Sequence, residues 1–409
     1  MYTPAKDIST VAEDVFSGVP EHLHGKAYHE KLGEQIEALP EEVRTMLSEE
    51  LRQHLWNMVD QEASDIDLGS AGCDGRVWYR IHGKKKPTTQ ERVYTYRETD
   101  MLLHNLLYEN QREHLIKDGN LDFSYQLQDE EEKIQRFRAD MYMDLEHLAL
   151  NMRRIDQEIR PFNSLELHPE AAKVLSLNYM KFGMNLITGI TGSGKSSTLD
   201  SIIDAHNQSV PAHIVIIASP VELVHKPKRC IIRHREVGRD VPGFKQGAVQ
   251  SMRQDPDIIM VGELRDPETI MTCLELTDSG HKTFSTLHTS SAMESIDRII
   301  GEVPPGDKER VRNRLADVLS CVMSQKLVPD VNGRRVMAKE VLVVTPSVRA
   351  AIRNNNIGEI YQMINEGAAK GMVTLEQDLK RLVDERRIKA ETAVAYSNNK
   401  KRIKELLRS

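Results

Sequence analysis

The chain is poor in cysteine, short of basic charge relative to acidic charge and without a long apolar run, and each shortage removes a class of protein. Its four cysteines, Cys73, Cys230, Cys273 and Cys321, are scattered with no CxxC pair. That pattern argues against a disulfide framework and a four-cysteine zinc site, and leaves reduced, buried thiols as the plain reading. Lys and Arg number 55 against 62 Asp and Glu, a net charge of -7, with pI near 6.1. Bulk affinity for a phosphate backbone needs clustered basic residues, so no direct nucleic-acid partner is expected. No apolar stretch approaches the roughly 18 residues of a spanning helix. The opening MYTPAKDISTVAEDV has no apolar core and does not read as a signal peptide. The expectation is a cytoplasmic protein that reaches a membrane by docking onto a partner.

What is present fits a soluble protein with real cores and highly charged surfaces: 39% hydrophobic, 5% aromatic and 29% charged residues. A length of 409 residues suits two or three domains. Residues up to about 55 read as polar helix, with Val43, Met46, Leu51, Leu55 and Met58 at roughly helical spacing after Pro40. A β-rich patch follows. RVWYRIHG (residues 76–83) reads as a strand ending at Gly83, and NLDFSYQLQ (residues 120–128) as a half-buried strand. The run Lys84, Lys85, Lys86, Pro87 reads as a solvated hairpin turn, and QDEEEK (residues 128–133) as another. Pro161 and Pro169 mark a linker. Beyond it, GMNLITGI, HIVIIA, DIIMVG and KTFSTLH are short apolar runs separated by helical stretches, which implies a parallel, doubly wound sheet. From about Val303 onward the pattern is helical, with one strand-like piece at RVMAKEVLVVT.

The strongest chemical signal is Gly189-Ile190-Thr191-Gly192-Ser193-Gly194-Lys195-Ser196, followed by Ser197. It matches GxxxxGK[ST], with a strand before it and a helix after it. Glycines let backbone N–H groups curl round a β-phosphate, Lys195 offers a point charge to the β- and γ-phosphates, and Ser196 can ligate Mg²⁺. The expected cofactors are therefore ATP and Mg²⁺. Next, the apolar strand in Asp255-Pro256-Asp257-Ile258-Ile259-Met260-Val261-Gly262-Glu263 delivers Glu263 at its C-terminal end, where a P-loop sits in an open α/β sheet. Glu263 can hold the Mg²⁺ shell or polarise the attacking water. A carboxylate there is usually a turn or a cap; after a P-loop it becomes the favoured second element. A third strand ends in His288, placed to sense the γ-phosphate. A lone histidine at a strand end is more often structural, and the sensor role is kept because a nucleotide site is already indicated.

Together these residues resemble the type II/type IV secretion NTPase family, which includes PilT-like pilus motors and GspE-like secretion motors. GITGSGKSS is similar to its Walker A, DPDIIMVGELRDPETI to its Walker B, and SGHKTFSTLHTSSAMESIDRII to its His box. ASDIDL (residues 63–68) resembles the opening of its PAS-like N-terminal domain and LDFSYQ a later strand. The resemblance implies a PAS-like α+β domain followed by a RecA-like P-loop NTPase domain with a parallel sheet and C-terminal helices. The expected division is a helical extension over 1–58, the PAS-like domain over 59–158, a linker over 159–168 and the ATPase domain over 169–409. It also implies a homohexameric ring, an inner-membrane platform protein as partner, and arginines reaching the nucleotide from the N-terminal domain. Arg138 and Arg153 are the candidates, with Arg154 behind them; for any one of them, a surface arginine in a strand is an equal reading.

One departure matters. The family's Asp box reads Glu-Asp-Pro-x-Glu, whereas this chain has Ala218-Ser219-Pro220-Val221-Glu222. The residue often proposed to activate water is thus alanine, and the serine after it resembles conjugation and type IVB secretion members. Either Glu263 or Glu222 polarises the water with slow turnover, or the chain binds ATP and hydrolyses it poorly as an accessory subunit. Further on, Ala351-Ile352-Arg353-Asn354-Asn355 resembles a helix of the PilT-like motors, and no four-cysteine insertion of the GspE type is present.

Overall fold

The computed structural model describes residues 7–88, 92–128 and 134–408. The acidic turn expected at 128–133 therefore lies, beyond Gln128, outside the described residues. The chain divides into two compact units. One gathers Met1–Gln157 with the short segments Ser219–Leu223 and Gly238–Asp240; the other holds Glu158–Ala218, Val224–Val237 and Val241–Ser409.

Among the described residues, the first unit has a six-stranded antiparallel sheet. Its strands are β1 (Asp65–Gly69), β2 (Trp78–Ile81), β3 (Lys84–Pro87), β4 (Asn120–Gln128), β5 (Ile134–Asp144) and β6 (His147–Ile155). They lie in the order β3-β2-β1-β6-β5-β4. Three helices precede it: Ile8–Ser17, Gly25–Glu37 and Glu41–Asp60. The third starts after Pro40, carries Glu41 and Glu42 in its first turn, and buries Leu47, Leu51, Leu55 and Met58 along one face. The lysine run is a strand rather than a turn. His82 and Gly83, both at positive φ, make the reversal, and Lys84–Pro87 pairs with β2 as the outer strand. Its exposed lysines suit an edge, where charge discourages pairing with another chain; Lys85 meets Asp67 at 2.8 Å.

The second unit, among the described residues, has a seven-stranded sheet in the order β13-β12-β7-β11-β10-β8-β9. These strands are β7 (Gly183–Thr188), β8 (His213–Ala218), β9 (Ile231–Glu236), β10 (Ile258–Val261), β11 (Lys282–Leu287), β12 (Leu319–Pro329) and β13 (Arg335–Val343). All pairings are parallel except β12 with β13. Both faces are covered. Leu186, Val215, Ile217, Ile259 and Val261 point into one core, while Ile187, Ile214, Ile216, Ile258 and Met260 point into the other. Strands buried on both faces favour apolar residues on both, so β8 and β10 read as continuous runs, while β7 and β11 also bury Asn185, Thr283 and Ser285. No helix among the described residues is long and apolar enough to cross a membrane.

The helix that follows the P-loop, Lys195–Ser209, is anchored near its far end by His206. The ring's Nε2 accepts from the Leu177 N–H at 3.1 Å, so Nδ1 carries the proton and donates to the Ile202 carbonyl at 2.8 Å. Burial pulls its pKa from 6.5 to about 4. The unfolded ring takes up a proton near 6.5 and the folded ring only near 4. The contribution to stability is therefore complete above about pH 6.5 and is lost as pH falls towards 4, by roughly 3 kcal/mol. In urea unfolding at about pH 7 and pH 4.5, a His206→Gln variant is expected to lose less stability on acidification than the parent, by most of that amount.

Candidate nucleotide-binding and hydrolysis site

The loop between β7 and the helix Lys195–Ser209 is built on glycines that no other residue replaces without strain. Gly189, Gly192 and Gly194 have φ of +150°, +77° and +88°. A Cβ on Gly189 would stand 2.4 Å from Ser193 Oγ and 2.5 Å from the Gln325 carbonyl oxygen. Gly194 is the N-cap of the helix, so the first-turn N–H groups have no intrahelical partner and face the end of the dipole that favours anions. Lys195 donates from Nζ to the Gly189 carbonyl at 2.8 Å and the Ile190 carbonyl at 3.2 Å. Its partial burial lowers the ammonium pKa. Thr191 and Gly192 are exposed, Ser193 is buried, and the hydroxyl residues Ser196 and Ser197 are exposed in the first helical turn. A cradle that a Cβ would fill, with a lysine inside it, fits a polyphosphate.

Glu263 and His288 come to this place from neighbouring strands. β10 ends at Val261, and the Gly262 N–H donates to the Ile217 carbonyl at 2.8 Å. Glu263 follows, and Asp266 then caps the next helix, Pro267–Asp278, by accepting from the Thr269 N–H at 2.8 Å. The carboxylate of Glu263 is only 14% exposed, with Arg265 paired to it and His288 Nε2 at 3.4 Å. His288 follows the last residue of β11. Burial, then the positive charges of Lys195, Arg298 and Arg265, push its imidazole below the ordinary histidine range. The ring thus stands between these cations and the Glu263 carboxylate. Arg298 holds the backbone there, donating to the His288 carbonyl at 3.3 Å.

Ala218 ends β8, and its Cα would lie 3.4 Å from a Cβ on Gly262. The Asp-box alanine thus backs directly onto the residue before Glu263 and supplies no carboxylate. The arginine candidates belong to the first unit, where Arg138 of β5 and Arg153 of β6 are cross-strand partners. Arg138 meets Asp122 at 3.5 Å and Glu222 at 3.6 Å, and Arg153 meets Asp65 at 2.8 Å. Arg154 donates to Gln135 Oε1 at 3.2 Å. Arg136, from the same segment, is buried and donates to the Val221 and Glu222 carbonyls at 2.7 and 3.0 Å. Two residues at the site were not picked out from sequence. Arg265 lay in the quoted Glu-Leu-Arg-Asp run, two places from Glu263. Gln325, whose Nε2 donates to the Ser193 carbonyl at 2.7 Å, gave no signal, because its strand sits in a stretch read as helix.

The model of the type II/IV secretion system protein family matches residues 41–405. The chain belongs to that family. Among its relatives, the type IV pilus retractation ATPase PilT of Pseudomonas aeruginosa is 34% identical over 333 residues, 81% of this chain and 94% of the relative. A twitching motility protein of Neisseria gonorrhoeae is 34% identical over 81% of this chain and 87% of its own length. A crystal structure of the pilus retraction motor PilT with bound ADP superposes with a TM-score of 0.75 at 33% identity, over 86% of this chain and 98% of that one. The Legionella pneumophila ATPase DotB shares the fold, with a TM-score of 0.74 at 24% identity over 84% of this chain and 94% of its own. The two-domain architecture of these family members, an N-terminal domain and a RecA-like ATPase domain, is the architecture of this chain.

Proposed function

We propose that this chain is a motor subunit that turns ATP hydrolysis into domain motion, and thereby into work on a pilus or a type II/type IV secretion machine. It is an ATPase, as are its named family relatives PilT and the pilus ATPase PilU. The observation that carries the reading is the P-loop: three glycines at positive φ, Lys195 beside them, and Glu263 with His288 at adjoining strand ends. Gly189, Thr191, Gly192, Ser193, Gly194, Lys195, Ser196 and Ser197 bind ATP. Ser196 and Glu263 supply oxygen donors of the kind Mg²⁺ takes. Mg²⁺ there would offset charge on the phosphates. Glu263 orients and polarises the attacking water, and His288 senses the γ-phosphate.

The active form in this reading is a homohexameric ring. Arg138 and Arg153 reach the nucleotide of a neighbouring copy and offset charge in the transition state. The ring works in the cytoplasm, held to the inner membrane through a platform protein. A second reading rests on Ala218: a chain that binds ATP in such a ring but hydrolyses it weakly, assisting another motor. Phosphate release by the purified protein, with Mg²⁺ or with excess EDTA and with particle mass measured on the same sample, separates the two. A ring-sized particle whose turnover falls to background in EDTA is the expected result. Turnover that ignores EDTA and equals that of a Lys195→Ala protein would sink the enzyme reading. A ring that binds ATP without turnover would favour the accessory subunit.

A further inference from the structure

β12 carries a buried amide to the underside of the P-loop. The strand runs parallel to β7 with Ser324 opposite Thr188, the residue before Gly189. Gln325 is therefore delivered to the start of the loop. Its side chain is 2% exposed, and Nε2 donates to the Ser193 carbonyl at 2.7 Å. The loop rests on this residue at both ends. A Cβ on Gly189 would meet the Gln325 carbonyl oxygen at 2.5 Å, and a Cβ on Gly194 would meet its Nε2 at 3.2 Å. The amide is not there for its own hydrogen-bonding balance: Gln325 Oε1 and Ser193 Oγ are both buried without a partner among the described residues. Among the buried residues before it in the strand, Cys321, Val322 and Met323 are apolar, while Ser320 and Ser324 are polar and Ser324 is partnered by Thr188. A side chain serving only to fill space at position 325 needs no amide.

We infer that Gln325 is a positioning residue for nucleotide binding, fixing the Ser193–Gly194 peptide so that the Gly194 N–H faces the phosphates. This rests on the P-loop being the nucleotide site. The physical step is short. A trans peptide is planar, with its C=O and N–H pointing in opposite directions. A Ser193 carbonyl tied down to β12 therefore turns the Gly194 N–H away from β12 and into the loop, where a phosphate oxygen accepts it. Without the tie, the Ser193–Gly194 peptide, which has glycine at 192 and 194, is free to flip, and a donor becomes an acceptor facing an anion. β12 is a firm base for this. The Ser324 hydroxyl lies 2.7 Å from that of Thr188, and Ser295 links Thr188 at 3.4 Å to Thr289 at 2.7 Å, the residue after His288.

The test is Gln325→Met, which keeps bulk and removes the donor. Because the tie acts on bound nucleotide before and during the reaction alike, KM for ATP is expected to rise roughly tenfold while kcat at saturation stays within about threefold. The melting temperature without nucleotide is expected to stay within a few degrees. A merely structural role would lower melting temperature and active fraction and leave KM alone, and an unchanged KM overturns the inference. Should Gln325→Met fail to fold, Gln325→Leu, which also lacks the donor and carries no charge, is read in the same way. Lys195→Ala is titrated alongside with a fluorescent ADP. If it binds like the parent, the nucleotide-site reading fails; if it loses binding and the Gln325 variants do not, only the role of Gln325 fails.

Discussion

Glu263→Gln is expected to leave ATP affinity within a few fold and to cut turnover by about 100-fold or more. The amide has the shape of the carboxylate and keeps a donor-acceptor pair for its neighbours, so the loop after β10 keeps its course. What it loses is negative charge at a site that is 14% exposed and faces Arg265 and His288. Removing a positioned base or water-orienting group typically costs about 10²- to 10⁴-fold. In this chain nothing at Ala218 shares the task. Steady-state phosphate release, with ATP affinity measured separately, reads the effect. Loss of turnover with binding intact would establish a motor that manages without the Asp-box carboxylate. Parent turnover no higher than the variant's would mean that Glu263 polarises nothing, and turnover at background in both would favour the accessory subunit.

The second large effect is expected at a position with no functional group. Gly189→Ala should weaken ADP binding roughly 100-fold, the scale on which a displacement of about 1 Å acts in a positioned site. The new methyl meets the Gln325 carbonyl oxygen at 2.5 Å, and that oxygen belongs to the backbone of an interior strand. It cannot swing away, so the loop must move. Gly333→Ala is the matched comparison: φ there is +77° with nothing within 4 Å of a Cβ. It should lose about 1 kcal/mol of stability for its backbone conformation and bind ADP normally. Equal affinity losses in the two variants would show that strain in general, and not the seat of the P-loop, is being measured.

The two halves of the site differed in how plainly the sequence declared them. β7, β8 and β10 read as strands because each is short, mostly apolar and bounded by turn residues, and β11 read as one despite Thr283, Ser285 and Thr286. The same property hid β12. LSCVMSQKLVP is buried on both faces over its first seven residues, so it shows no alternation, and it follows the helix Lys308–Val318 with no glycine or proline between them. Periodicity alone does not separate such a strand from a buried helix. β9 was missed for a different reason. IIRHRE lies at the sheet edge with charged residues among the apolar ones. The lysine run misled because charge is as good a signature of an edge strand as of a turn. Arg136 and Arg138 stand two apart on one strand. Only their partners show that the first braces the Val221 and Glu222 carbonyls while the second keeps its head partly exposed.

The helices that precede residue 41, where the family match begins, share one core with the sheet of the first unit. Leu32 and Ile36 of Gly25–Glu37 are fully buried there, and His29 Nδ1 lies 2.9 Å from His104 Nε2 on the helix Tyr96–Asn105. This gives the segment a standing that its place outside the family pattern does not suggest. Cooperative units are defined by shared apolar burial, not by ancestry. The extension cannot be shed without opening the layer beneath the sheet. The first unit, with its cross-strand pair of arginines, thus owes part of its buried core to helices that precede the family match.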